Sequence, residues 1–291
     1  MPLYNNAATV ERAIRSLLQQ THRDLLLFVS DDCSTDRTAE ISRAFARSDG
    51  RVQVATRTRN LGYLNFRHVL MAATTPYFMW AAGDDWWSPD YVARCLNLLE
   101  ADAHAVCAVS KCRFYSAGQA TGLALGTSPL ESDPRSNLFQ FLSNPADNTR
   151  MYGVFRTEVA KTCFPDEPFH AYDWAFSAAT LRHGKRLEVD AVLLHRDLTP
   201  SERYLDLAHK DGRTASERIF PLLANTRWLL REARIPKDRR ILGALLALNL
   251  EKHWDYAARY LPNYFWLVRP LSSAWKRVAW RLKRVSDRET P

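Results

Sequence analysis

The chain has 291 residues, 46% of them hydrophobic and 25% charged, and carries a formal net charge of +8. That balance excludes a disordered polypeptide and supplies enough apolar surface for one large domain with an appendage. The five cysteines, Cys33, Cys95, Cys107, Cys112 and Cys163, show neither a paired zinc spacing nor a disulfide framework. No signal peptide precedes the first motif and no run reaches the roughly 18 to 20 apolar residues of a membrane span, so a reducing cytoplasm is the expected compartment.

In chain order, apolar periodicity predicts a helix over 9–20, a buried strand over 25–29, a helix over 37–47 and a strand over 52–56. A helix over 63–73, a strand over 77–81, a helix over 89–101 and a strand over 105–110 follow. Such alternation implies an α/β fold with a mostly parallel twisted sheet and helices on both faces. Residues 115–148, rich in Gly, Ser, Pro and Asn, read as an irregular loop. A strand-like run over 187–194 ends in His195-Arg196, and helices over 218–234 and 239–260 are separated by Ile235-Pro236. Residues 1–200 are therefore expected to form the main domain, and 201–291 a helical C-terminal region.

Two of the predicted strands end in acid. The first runs into Ser30-Asp31-Asp32-Cys33-Ser34-Thr35-Asp36, and the strand over 77–81 runs into Gly83-Asp84-Asp85-Trp86-Trp87-Ser88-Pro89. Adjacent carboxylates repel unless water or a cation neutralises them, and hard oxygen ligands suit Mg²⁺ or Mn²⁺. Ligands of open α/β sheets occupy the crevice beyond the carboxyl ends of the strands, so both clusters can face one nucleotide diphosphate with its metal. A plainer account also fits: Ser34 or Asp36 caps the helix over 37–47, and an aspartate caps the helix at Ser88-Pro89. Arg57 and Asn60, after the strand over 52–56, either meet nucleotide or phosphate groups or belong to a solvated loop. Trp86 and Trp87 offer a sugar-stacking platform or core packing.

Five segments occur in an order that resembles family 2 glycosyltransferases over residues 1–200. They are Met1-Pro2-Leu3-Tyr4-Asn5-Asn6, Ser16-Leu17-Leu18-Gln19-Gln20-Thr21, Asp31-Asp32-Cys33-Ser34-Thr35-Asp36-Arg37-Thr38, Asn60-Leu61-Gly62 and Gly83-Asp84-Asp85. The resemblance implies a GT-A fold and an inverting hexosyl or deoxyhexosyl transfer from a nucleotide-sugar donor with a divalent metal. It implies that Asp32, with Asp31 beside it, meets the uracil or thymine and ribose of the donor. Asp84-Asp85 would be the metal-binding acidic motif, with Asp85 the direct ligand; the family often has Asp-x-Asp there, and Gly83 would let the backbone approach a diphosphate. Tyr172-Asp173-Trp174 resembles the element carrying the catalytic base, which makes Asp173 the candidate base; Tyr172 stands where many relatives have Glu, and N-capping is the alternative for Asp173. His195-Arg196 resembles the pair that follows the base helix, implying His195 as a further metal ligand or diphosphate contact and Arg196 as a phosphate contact. Relatives begin with an apolar strand before the Pro-x-Tyr-Asn turn, so the resemblance also implies a missing first strand and a true start upstream.

Toward the end, Trp275-Lys276-Arg277-Val278-Ala279-Trp280-Arg281-Leu282-Lys283-Arg284 interleaves rings and cations at helical spacing. Such a helix suits an anionic leaflet, or a basic helix docked on the domain by its tryptophans. The expected function is transfer of a sugar from a UDP- or dTDP-sugar to a hydroxyl of a polysaccharide or lipid-linked glycan, in the cytoplasm or at the inner face of the cell membrane. An inactive nucleotide-sugar-binding homologue would instead bind donor without turnover. A nucleic-acid binder is opposed by the acidic crevice, and would show steeply salt-dependent duplex affinity with no response to nucleotide sugar.

Overall fold

The structure is a computed structural model that describes residues 1–197 and 214–266. By their contacts the described residues divide into two compact units, 1–131 with 146–166 and 183–197, and 132–145 with 167–182 and 214–266.

In the first unit, strands β1 (Pro2–Leu3), β2 (Leu27–Asp31) and β3 (Val52–Thr56) lie side by side, all parallel. A first strand is therefore present in short form: Pro2 pairs with Ser30 and Leu3 with Asp31, while the buried Met1 ammonium donates to the Phe28 carbonyl at 2.7 Å. β2 starts two residues later than the leucine run suggested. Leu26 is 53% exposed and ladder pairing begins at Leu27, whose N–H bonds the Arg51 carbonyl, so Asp31 is the last strand residue and not part of the turn.

Helix α1 (Val10–Leu18) buries Val10, Ala13, Ile14 and Leu17, the i, i+3, i+4, i+7 stripe of an amphipathic helix. Full burial of each large aliphatic side chain contributes about 1.5–3 kcal/mol. Past its end, the buried Gln20 joins α1 to α4 (Tyr91–Ala101): its amide donates to the Ser88 carbonyl at 2.8 Å and accepts the Val92 N–H at 3.0 Å. One of the orphan donors of the first turn of α4 is thereby satisfied. Helices α2 (Thr38–Ser48) and α3 (Tyr63–Met71) fall within a residue or two of their expected spans.

The second sheet of this unit has the order β4 (Tyr77–Met79), β8 (Val154–Arg156), β6 (Ala105–Ser116), β9 (Lys185–Asp197) and β5 (Trp86–Trp87), with β7 (Gln119–Leu123) hairpinned onto β6. Here β6 and β9 run parallel and the remaining pairs antiparallel. The long β6/β9 pair brings the end of β9, and with it His195, Arg196 and Asp197, to the Asp84-Asp85 turn through the pairing of Trp86 with His195.

The first unit also holds α6 (Thr157–Cys163), whereas the second unit is helical, built from α5 (Pro134–Ser143), α7 (Tyr172–Thr180), α8 (Ala215–Ile219), α9 (Leu223–Arg231) and α10 (Arg239–Tyr260). The stretch expected to be irregular thus contains β7 and α5. The start signal for α5 is in the sequence: Asp133 accepts from the Arg135 and Ser136 N–H groups, and Pro134 fills the first helical position. The helix expected over 218–234 is broken at Pro221, which cannot continue an α-helix, into α8 and α9. Among the described residues no helix is long and apolar enough to cross a membrane, and the basic aromatic segment 275–284 lies outside those residues.

Burial pulls His170 of this unit from 6.5 to about 4. A histidine kept neutral in the folded state but free to protonate when unfolded costs stability as the pH falls from 6.5 toward 4, with no further loss below. Because His170 keeps part of its surface exposed, the expected loss is discounted to about 2 kcal/mol. His170→Phe should flatten this part of the curve in urea melts across that pH range.

Candidate active site

Parallel pairing sets the carboxyl ends of β1, β2 and β3 in a row. The Asp32 N–H donates to the Leu3 carbonyl and the Arg57 N–H to the Asp31 carbonyl, both at 2.8 Å. Gly83 adjoins this row, since a Cβ there would lie 2.5 Å from Leu3 Cδ2 and 2.8 Å from Asn6 Cγ. Both acidic turns therefore abut Leu3. The close approach that requires glycine at position 83 is to Leu3 and Asn6, within the protein.

Much of the segment 31–38 is occupied with backbone. Asp32 is 3% exposed, and its two oxygens accept the N–H groups of Leu61 at 2.8 Å and Gly62 at 2.7 Å. Asn60 Oδ1 accepts from the same Gly62 N–H at 2.9 Å, and Gly62 adopts φ +52°, which accounts for the glycine. Asp36 accepts from Thr38 and from the Ala7 N–H, while the N-cap position of α2 is taken by Arg37, which makes no side-chain cap. Asn5 and Asn6 close the network through Ser34, Thr35 and Thr38.

Asp31 differs from its neighbour. Its Oδ2 accepts from the Ser34 N–H at 3.3 Å, whereas its Oδ1 is buried with no partner among the described residues. Arg57 Nη2 is in the same condition, while Arg57 Nε donates to Ser30 Oγ at 3.3 Å and Ser30 Oγ donates to the buried Asn65 at 2.6 Å. Leaving a buried polar atom unmet costs about 1–3 kcal/mol, a deficit that needs a reason such as a ligand.

At the other acidic turn, Asp85 is 1% exposed and its Oδ2 accepts from Arg196 Nε at 2.9 Å. Arg196 also donates to Thr149 Oγ1 at 3.2 Å and stacks 4.2 Å over the Tyr152 ring. Burial lifts the Asp85 carboxyl to about 7 despite the opposing pull of Arg196. Burial also works against the charge of Arg196, but Asp85, Tyr152 and Cys112 together outweigh it and the guanidinium is held charged. The residues expected to bind metal and phosphate are thus each other's partners. Asp84 is half-buried, and its carboxylate accepts no hydrogen bond among the described residues.

His195 precedes Arg196 on β9, so strand alternation turns it to the opposite face. Its Nε2 faces Ser88 Oγ and its Nδ1 faces the Tyr115 hydroxyl, each at 3.2 Å, and its ring stacks on Trp86 at 5.2 Å and 8°. Burial, with a smaller effect from Arg113, lowers its pKa. Among the described residues no group of three or more His, Cys, Asp or Glu could hold a metal ion, so His195, Asp84 and Asp85 are not brought together as a ligand set. Trp87 is core, at 2% exposure, and Trp86 carries the Arg12 guanidinium 3.9 Å over its ring, which occupies the surface a sugar would need.

Sequence reasoning missed Arg12, Thr149 and Asn65. Neither Arg12 nor Thr149 belongs to a motif, since both reach the turn from remote segments. Asn65 left a signal, a polar residue among the buried positions of α3 with Val69 and Leu70.

In the second unit, Asp173 is the second residue of α7. The N-cap is Ala171, left-handed at φ 58°, whose carbonyl accepts from Asn225 Nδ2 at 2.7 Å. Asp173 is therefore not the cap; it lies in the first turn, where the helix dipole favours a carboxylate.

An uncharacterized glycosyltransferase of Haemophilus influenzae is 24% identical over 226 residues, covering 74% of this chain and 69% of that protein. The uncharacterized glycosyltransferase EpsJ of Bacillus subtilis is 32% identical over 116 residues, 40% of this chain but only 33% of EpsJ. S. aureus TarS 1-349, crystallised in complex with UDP-GlcNAc, shares the fold with a TM-score of 0.56 at 14% identity, covering 88% of this chain and 79% of that one. The fold is the GT-A type with a helical C-terminal part. The family model for glycosyl transferase family 2 matches residues 1–164, which include both acidic turns and the strands, β2 and β4, that lead into them. With more than half of its length matched, the chain belongs to glycosyl transferase family 2.

Proposed function

We propose that this protein is an inverting glycosyltransferase that takes a sugar from a pyrimidine nucleotide donor, UDP- or dTDP-linked, to a hydroxyl of a polysaccharide or lipid-linked glycan. The observation that carries the reading is the pair of unmet atoms at the strand ends, Asp31 Oδ1 and Arg57 Nη2. One unmet acceptor and one unmet donor, carried at the neighbouring ends of β2 and β3, would complement the imide N–H and a carbonyl of uracil or thymine. Guanine, with two N–H donors on one edge, would ask for a second carboxylate oxygen, and Asp31 Oδ2 already accepts from Ser34. Since Asp32 is filled by Leu61 and Gly62, the base contact is assigned to Asp31 and the shaping of the loop to Asp32 and Asn60. The UDP-GlcNAc bound by TarS agrees with a nucleotide-sugar donor.

The residues present fit a divalent cation carried by the donor. Mg²⁺ and its like need only one or two carboxylates when phosphates complete the shell, and Asp84 offers one that no described residue claims. Asp84 would hold the ion, with Asp85 kept out of that role by Arg196. When bound, the ion supplies charge neutralisation to the departing diphosphate. Asp173 takes the acceptor hydroxyl's proton as that oxygen attacks the anomeric carbon from the face opposite the nucleotide. The tail over 264–284 would hold the enzyme at an anionic membrane surface.

Thermal-shift measurements with UDP, dTDP and GDP, with and without Mn²⁺, test the donor assignment. UDP or dTDP should stabilise the protein, by about 2.7 kcal/mol at a hundredfold excess over Kd, and GDP should not. Asp173→Asn should keep that stabilisation while turnover falls by about 10²–10⁴-fold, and Asp84→Asn should lose only the Mn²⁺-dependent part. A response to GDP alone sinks the base assignment, silence with all three sinks the donor site, and near-normal turnover by Asp173→Asn removes the base.

A further inference from the structure

We infer that Arg12 is a positioning residue that fixes the direction of the Asp84 carboxylate; this rests on the reading that Asp84 faces the donor diphosphate and its metal. Arg12 projects from α1, off the helix face that buries Val10, Ala13, Ile14 and Leu17. One nitrogen, Nη2, donates to the Asp84 carbonyl at 2.7 Å and to Asp197 Oδ2 at 2.6 Å. Its plane lies 3.9 Å over Trp86, and Trp86 is braced by the near-parallel His195 ring and by Tyr115 at 4.7 Å.

The backbone on both sides of Asp84 is already held. Gly83 is pressed against Leu3 and Asn6, and Asp85 is anchored to Arg196. The peptide joining Asp84 to Asp85 is held by its carbonyl, and the hydrogen bond there comes from Arg12. Removing it frees that peptide to rotate, and the Asp84 side chain turns with it. A lysine reproduces the charge but not the flat guanidinium that lies over the Trp86 ring while its Nη2 bonds two oxygens.

Simple structural service would have a different signature. The Arg12–Asp197 pair is 43% and 34% exposed at its side chains, and pairs of that kind add little to stability. Loss of Arg12 should therefore leave the melting temperature nearly unchanged while altering how the bound nucleotide sees the metal. Among the described residues no hydrogen bond or ion pair joins Arg12 to Asp31 or Arg57, so the metal-free affinity should also hold.

The experiment is calorimetric titration of UDP into the full chain, with and without Mn²⁺, for the parent, Arg12→Met and Arg12→Lys, alongside thermal melts. We expect Mn²⁺ to tighten UDP binding in the parent, and that increment to shrink about tenfold or more in both variants at similar Tm and similar metal-free Kd. An increment equal to the parent's in either variant overturns the inference, as does a parent that binds UDP with no Mn²⁺ increment. A parent that binds no UDP instead overturns the donor reading on which it rests.

Discussion

Arg196→Met should lower stability by about 3–5 kcal/mol, the cost of leaving a buried ion without its partner. Asp85 is 1% exposed, and among the described residues the cation bonded to it is Arg196, at 2.9 Å. The alternative for the variant is to protonate Asp85, which burial already favours by lifting its carboxyl to about 7, so the loss should be smaller at pH 5 than at pH 8. The sign follows from the direction of the shift. A carboxyl whose folded pKa lies above its unfolded value binds more protons when folded, so stability falls as the pH rises between the two. The double variant Asp85→Leu/Arg196→Met, which removes both charges, should be more stable than either single variant, because apolar groups of similar volume replace a buried pair at little cost. Urea melts of the four proteins provide the cycle. A loss under about 1 kcal/mol for Arg196→Met would mean that water screens the pair as it screens surface pairs.

Asp32→Ala and Asp31→Ala should have opposite effects, although the two residues are adjacent and chemically identical. Asp32 accepts two backbone N–H groups in a charge-assisted manner, each bond contributing about 1.5–3 kcal/mol, so its removal should cost about 3 kcal/mol and loosen the Asn60-Leu61-Gly62 loop. Asp31 has one long bond and one unmet oxygen, so Asp31→Ala should leave stability within about 1 kcal/mol of the parent, or raise it, while weakening UDP by tenfold or more. Melts and UDP titrations on the same samples separate the two. If Asp32→Ala melts like the parent and Asp31→Ala retains its UDP affinity, the donor contact belongs to Asp32 as the motif alone suggested.

Local physics made much of the fold legible. The stripe over Val10, Ala13, Ile14 and Leu17 specified α1, β-branched residues specified β3, and Asp238 capped α10 where the periodicity began. The Asp133-Pro134 start signal was equally local but was masked by turn-forming residues around it, so α5 was read as loop. The two acidic turns were located by sequence because strand ends and carboxylates are written in consecutive residues. Which carboxylate of each pair remains available was not written there. Asp85 is claimed by a guanidinium 111 residues away, Asp32 by amides 29 and 30 residues away, and the Asp84 carbonyl by Arg12, 72 residues upstream. The sequence by itself therefore determined the family, the alternation of strands and helices, and the positions of the acids. Only the tertiary structure decided which acids are internal counter-ions and staples and which keep an oxygen unclaimed by the described residues, because the donors that bury and neutralise a carboxylate come from segments far away in the chain.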